Sequence, residues 1–221
     1  MTRRGEGGFL NSVVVLTSIL VALFLGAVSP GPSFLFVMRT AVAVSRRHGI
    51  AAALGMGLGA SMVSTLSLVG VRVLLTQAQW LYMGFKILGG VYLVYLAWRL
   101  WLGARRPATD PGAFAVTQIG IGRTFLMALA TQLSNPKTLL VISGIFAALI
   151  PNGAPRWLSL SIPPLDFLIE AGWYLFVALA MSSTRPRLVY LRSRSLIDRT
   201  AGGVLGILGT RLIFEGARSS A

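Results

Sequence analysis

Four ionisable side chains interrupt long apolar runs in this sequence: Lys86, Lys137, Asp166 and Glu170. A charge at the bilayer centre costs ~2.5–3.5 kcal/mol on insertion scales, so such residues face a cavity or a partner. Lys137 directly follows Asn135-Pro136, and a second proline cluster, Ser29-Pro30-Gly31-Pro32-Ser33, lies in the first apolar run. Proline removes a backbone donor and clashes with the preceding turn, so both runs should break as helices. The freed carbonyls and amides cannot face lipid and must be buried in protein or line a cavity. An ammonium beside free amides suits a carboxylate. A buried carboxylate beside free carbonyls suits an ammonium. Together these groups could hold a small zwitterion, with Glu170 also able to carry a proton. The same residues have plainer readings: packing kinks for the prolines, and a structural ion pair for Lys137 with Glu170. Asp166, one turn before Glu170 on the same face, reads as an interfacial acid or as a second proton group. Lys86 lies near the start of its helix and reads equally as buried or as reaching the interface.

The rest of the chain sets these residues in a membrane. Its 221 residues hold 20 Lys and Arg against 6 Asp and Glu, no Cys, 55% hydrophobic and 12% charged residues. A soluble domain is about 25% charged, so an ordinary cytosolic enzyme is excluded. A net charge of +14 would suit nucleic acid, but basic nucleic-acid binders keep a polar surface. Lacking Cys, the chain has no disulfide framework and no thiolate metal or redox site. Six stretches are apolar enough for helices of ~20 residues: Phe9 to Met38, Gly49 to Val71, Trp80 to Trp98, Thr124 to Ile150, Trp157 to Thr184 and Thr200 to Phe214. The sixth is the shortest. The expected fold is all-α, one integral membrane domain over residues 1–221 with six transmembrane helices, the first and fourth broken at Pro. The first run is far longer than a signal core and is expected to persist in the mature protein.

The two halves, about 9–102 and 120–216, resemble each other. Lys86-Ile-Leu-Gly89-Gly90-Val91 and Arg199-Thr-Ala-Gly202-Gly203-Val204 match at an offset of 113 residues. The two proline breaks match at an offset of 105, which sets Ser33 opposite Thr138. Three helices per half makes this an inverted three-plus-three repeat, and paired broken helices point to a transport site. Gly55-Met-Gly57-Leu-Gly59 and Gly202, Gly203, Gly206 and Gly209 give two helices small faces for close approach, within one chain or in a homo-oligomer. Trp80, Trp98, Trp101 and Trp157 read as an interfacial belt.

No phosphate loop, nucleophile triad or metal-ligand cluster is present, and His48 stands alone in a basic segment. No cofactor or metal is expected, and the partners are a small-molecule substrate and lipid. A cation or metal exporter would need clustered acids, His or Cys within the spans. A membrane enzyme would need a nucleophile–base or metal constellation. A structural subunit would need no paired breaks.

Several stretches together resemble the lysine exporter (LysE/RhtB) family. They are Ser29-Pro-Gly-Pro-Ser33 followed by Arg46-Arg47 and the Gly-rich second helix, and Lys86 with Gly89-Gly90 and Tyr92 to Trp98. Asn135-Pro136-Lys137 and Glu170-Ala-Gly-Trp173 complete the set. The resemblance runs from about Leu20 to Glu215. It implies export of amino acids and related metabolites across the bacterial inner membrane, driven by protons. It also implies functional roles for Pro30, Gly31, Pro32, Lys86, Asn135, Pro136, Lys137 and Glu170. Ser33 stands where many members have Asn or Asp, which leaves the substrate open.

Lys and Arg gather in cytoplasmic segments. The connections after helices one, three and five hold Arg39, Arg46, Arg47, Arg99, Arg105, Arg106, Arg123, Arg185, Arg187, Arg192, Arg194 and Arg199. The other side holds Arg3, Arg4, Arg72, Arg156, Arg211 and Arg218. This two-to-one bias puts both termini in the periplasm. Alkaline phosphatase fused after Ala221 should therefore be active. A cytoplasm-only reporter that is active there instead would reverse the orientation.

Overall fold

The computed structural model describes residues 3–29, 31–77, 79–103, 119–151, 153–181 and 184–218. Eight α-helices make up the described residues: α1 (Arg3–Val28), α2 (Pro32–Ala43), α3 (Arg46–Gln77), α4 (Gln79–Gly103), α5 (Ile121–Leu133), α6 (Pro136–Leu149), α7 (Arg156–Met181) and α8 (Thr184–Arg218). Among these residues three stretches are long and apolar enough to cross a membrane: Asn11–Val28, Arg46–Gly70 and Arg156–Met181. Two shorter apolar helices, Pro32–Ala43 and Pro136–Leu149, begin at the prolines of the two clusters. Helix is the natural state of such runs, since it satisfies every backbone group without water.

Both expected interruptions occur. The first apolar run divides into α1 and α2, and the fourth into α5 and α6. In each case the helix resumes with proline in its first turn, where the missing N–H is no loss and the fixed φ favours the helix. Helix six differs from its expectation. α8 has 35 residues and is the longest of the eight. Its Arg-rich first part, read from the sequence as a connection, is helical. Arg is a good helix former, so charge there limits membrane depth without ending the helix.

α3 and α7 form an antiparallel pair. A side chain at Gly57 would strike Ala171, one at Gly49 would meet Ala178, and Ser64 bonds Asp166. α4 and α8 pair likewise, with Gly90 facing Gly209 and Gly202 facing Trp101. The small faces at Gly55, Gly57, Gly59, Gly202 and Gly209 are thus spent on contacts within the chain. Two apolar cores result. One joins α1, α4, α6 and α8, with Val63 and Leu68 of α3 and Ile162 of α7, around Leu93, Phe146 and Leu205. The other joins α2, α3, α5 and α7 around Val37, Met56 and Val177. The two broken helices change from one core to the other at their breaks.

The Gly90–Gly209 approach is backbone to backbone. A Cβ on Gly209 would lie 2.6 Å from the Gly90 carbonyl oxygen and 2.9 Å from Leu93 Cβ. Gly209→Ala should therefore cost about 1–3 kcal/mol, as overpacking does, and lower the unfolding midpoint in detergent. Gly172, with nothing within 4 Å, is the control. Gly172→Ala should leave the midpoint unchanged or raise it. Equal losses in both variants would sink the close-approach account.

Candidate functional site

Pro30 lies outside the described residues, but it has no N–H in any conformation. The Gly26 carbonyl therefore has no donor four residues on. The chain then runs extended through Gly31 (φ −142°, ψ −168°) before α2 begins. Lys137 answers the loss: its Nζ donates to the Ser29 carbonyl at 2.7 Å and the Gly26 carbonyl at 3.3 Å. Gly31 leaves room for the lysine stem, because a Cβ there would lie 3.2 Å from Lys137 Cδ and 3.3 Å from Nζ.

The second break is held by Asn135. Its side chain caps α6 by accepting from the Lys137 amide at 3.0 Å, and its Nδ2 donates to Ser33 Oγ at 2.9 Å. Ser33 Oγ in turn donates to Gln132 Oε1, and Gln132 Nε2 donates to Glu170 Oε2 at 3.3 Å. Tyr174, one turn after Glu170 on α7, is buried beside it. A continuous chain of hydrogen bonds thus runs from one helix break through the other to Glu170. Ser33, Gln132, Asn135 and Glu170 are all buried, so each bond replaces water that is not there.

Gly31, Ser33, Asn135, Lys137 and Glu170 line one cavity together with Gly26, Ser29 and Tyr174. Leu23, Ala27, Val141 and Ile142 give it an apolar wall. It leaves about 20 Å³ for water centres, room for about one water molecule. Lys137 and Glu170 share the cavity without forming an ion pair, whereas Lys86 and Arg211 both pair with Glu215, at 3.1 Å and 2.7 Å. α2 carries no side-chain cap at its N-terminus, so the positive end of its dipole stays available beside the lysine. No group of three or more His, Cys, Asp or Glu residues fit for a metal occurs among the described residues.

The remaining sequence candidates fall elsewhere. Pro32 and Pro136 shape the helix starts. Asp166 is fully buried one turn from Glu170 but bonds Ser64 on α3 and does not line the cavity. Lys86 is tied to Glu215 on α8 and stands apart from the site. His48 is half-buried: Nε2 meets the Ile119 carbonyl and Nδ1 meets Ser45, each at 2.7 Å. It ties the α2–α3 turn to the segment entering α5. Gln132, Tyr174 and Asp198 were not singled out from the sequence. Gln132 lies one turn before Asn135 and Tyr174 one turn after Glu170, and that spacing was the available signal. Asp198 sits among arginines, which masked it; in the structure it is buried.

Paired breaks, buried opposite charges and the cavity they share are features of one class, the multi-pass membrane transporters. The chain belongs to the LysE type translocator family, whose model matches residues 24–216. It is therefore a transporter and not an enzyme. It is 31% identical to the uncharacterized membrane protein YahN of Escherichia coli K12, over 94% of this chain and 91% of that protein. It is 27% identical to the threonine efflux protein of the same organism, over 92% and 99%. A membrane protein of Pseudomonas aeruginosa is 35% identical over 64% of each chain. No solved structure matches the chain.

Proposed function

We propose that the protein exports an amino acid or a closely related small zwitterion across the bacterial inner membrane in exchange for protons. The observation that carries this is the Lys137 ammonium seated on the orphaned carbonyls at the end of α1. Those carbonyls, with Glu170 close by, are what a substrate ammonium needs. In the closed site the lysine occupies them itself. Substrate binding would draw Lys137 off them, toward the substrate carboxylate at the uncapped start of α2. The substrate ammonium would take its place, facing Glu170. Pro30, Gly31, Pro32, Ser33, Asn135 and Pro136 would form the frame. The 20 Å³ now open is too small for any amino acid, so the two breaks must part during the cycle. Protonation of Glu170 from the periplasm would weaken its hold on the ammonium and release substrate outward.

In this reading α1 with α2, and α5 with α6, are each one broken span. Six spans form an inverted three-plus-three repeat over 9–102 and 120–216, with both termini periplasmic. The antiparallel pairing of α3 with α7 and α4 with α8 supports it, because a two-fold axis in the membrane plane would pair equivalent helices that way. L-threonine is the first substrate to try, given the relative named for its efflux.

Lys137→Ala should abolish export while the protein remains folded in the membrane. Lys137→Arg should restore only part, since the wider planar guanidinium cannot reproduce a compact ammonium. Glu170→Gln mimics the protonated carboxyl and cannot cycle. It should lose gradient-driven export while still exchanging substrate across the membrane without a gradient. The assays are export and counterflow of labelled threonine and other amino acids in vesicles. Wild-type export by Lys137→Ala would remove the lysine from the mechanism, and wild-type gradient-driven export by Glu170→Gln would move the proton elsewhere.

A further inference from the structure

A second polar track leaves Glu170 in the direction away from the helix breaks. Asp166 lies one turn back on α7, fully buried, with Ser64 Oγ donating to its Oδ2 and no partner on Oδ1. One turn further along α3, Ser67 bonds Ser143 of α6 at 2.8 Å, both buried. Ser159, two turns before Asp166 on the same face of α7, is buried as well. Because α3 and α7 are antiparallel, these residues follow one line toward the end of the bundle that carries the α6–α7 connection. The sequence orientation puts that end in the periplasm. The flanks are closed by Ile145, Phe146 and Ile162, each fully buried. None of these residues lines the substrate cavity. A line of hydroxyls ending on a carboxyl with a bare oxygen is costly inside a membrane protein unless it has work to do. It offers hydroxyls and a carboxyl but no cation to hold a substrate carboxylate, which is wrong for a zwitterion and right for a proton.

The geometry points to a proton-access route from the α6–α7 end of the bundle to Glu170, by way of Ser67, Ser143, Ser64 and Asp166. It rests on the proton-coupled reading above. Each hydroxyl takes a proton on its oxygen and releases its own to the next acceptor, so no serine changes charge overall. Asp166 receives the proton from the Ser64 hydroxyl at Oδ2 and becomes neutral, and turning about its Cβ–Cγ bond carries the acid proton round to the side that has no partner. It then passes the proton to the Glu170 carboxylate one turn away, with a water completing the step. Asp166 is left charged and Glu170 neutral. The ionisable groups around this pair are Lys137 from α6 and Tyr174 from α7, which line one cavity with Glu170, and Asp198 of α8 is buried as well. α3 presents the Ser64 hydroxyl to Asp166. Substrate and proton thus reach Glu170 from opposite ends, and the substrate never has to leave through the proton's path.

The test uses the full-length protein in liposomes loaded with the pH dye pyranine, with the potential clamped. Each of the twenty protein amino acids is supplied in turn as the probe. Wild type should move protons with at least one of them. Ser67→Ala should slow that proton flux at least tenfold while counterflow of the same labelled amino acid stays within twofold of wild type. Asp166→Asn should abolish substrate-linked proton movement and flatten the pH profile of export, and Asp166→Glu should recover part of both. A merely structural serine would lower flux and counterflow together, and that result would overturn the route. Unchanged proton flux in both Ser67→Ala and Asp166→Asn would overturn it while leaving the exporter reading intact. Flux that follows a sodium gradient would replace the proton with a metal cation. No proton movement by wild type with any of the twenty would overturn the route and the proton-coupled reading together.

Discussion

The Lys137 ammonium on the Gly26 and Ser29 carbonyls is the contact on which the rest depends. Proline at position 30 strips the Gly26 carbonyl of its donor through covalent structure alone. In water this would cost little. In a bilayer an orphaned carbonyl must be paired inside the protein, and a cation held by carbonyls must in turn be shielded from lipid. The break therefore has to be enclosed, and the lysine has to come from another helix. α6 supplies it from its first turn, with Pro136 and the Asn135 cap fixing where that turn begins. A break in one helix is stabilised by a residue that a break in another helix positions, so neither is complete without the other.

This mutual dependence explains the division into two cores. α1 and α6 lie in one and α2 and α5 in the other, while α3 and α7 run through both. The polar site occupies the seam. Close glycine contacts make the α3–α7 and α4–α8 pairs tight, so each resists internal change. The seam instead depends on a few hydrogen bonds between Ser33, Gln132, Asn135 and Glu170. Packed cores are stiff, whereas a hydrogen-bonded seam can exchange its partners for water or substrate at modest net cost. Rearrangement of the broken helices at the seam, against the continuous α3–α7 pair, is thus the motion that the packing makes easiest.

Much of this was legible in the sequence, because proline acts locally. The breaks, the buried charges and the small helix faces each follow from residue type and spacing. What the sequence withheld depended on tertiary direction. That Lys137 reaches back to α1 carbonyls, instead of pairing with Glu170, depends on where α1 ends relative to α6. Gln132 links the breaks to Glu170 only because α5 lies against α3 at Gly59, where a Cβ would strike Gln132. Asp198 looked like one charge in a basic segment until the helix carried it inside. The length of α8 was missed for a related reason: hydropathy marks what lipid can surround, and a helix can continue beyond that limit.

Charge balance gives the proposed substrate class its last support. The cavity holds one cation, Lys137, and one acid, Glu170, with apolar walls from Leu23, Ala27, Val141 and Ile142. A zwitterion adds one charge of each sign and leaves the buried total unchanged. On the proposed mechanism Lys137 would then transfer from neutral carbonyls to a carboxylate, which would strengthen its electrostatics, and the carbonyls would receive another ammonium in exchange. A substrate with a second cationic group would add an uncompensated charge within the membrane, at a cost on the order of a few kcal/mol. Asp166 cannot readily offset it, being held by Ser64 behind Glu170. Apolar walls likewise favour a side chain that is small and neutral. In the proposed reading, the same groups would select against cationic amino acids and favour compact neutral ones.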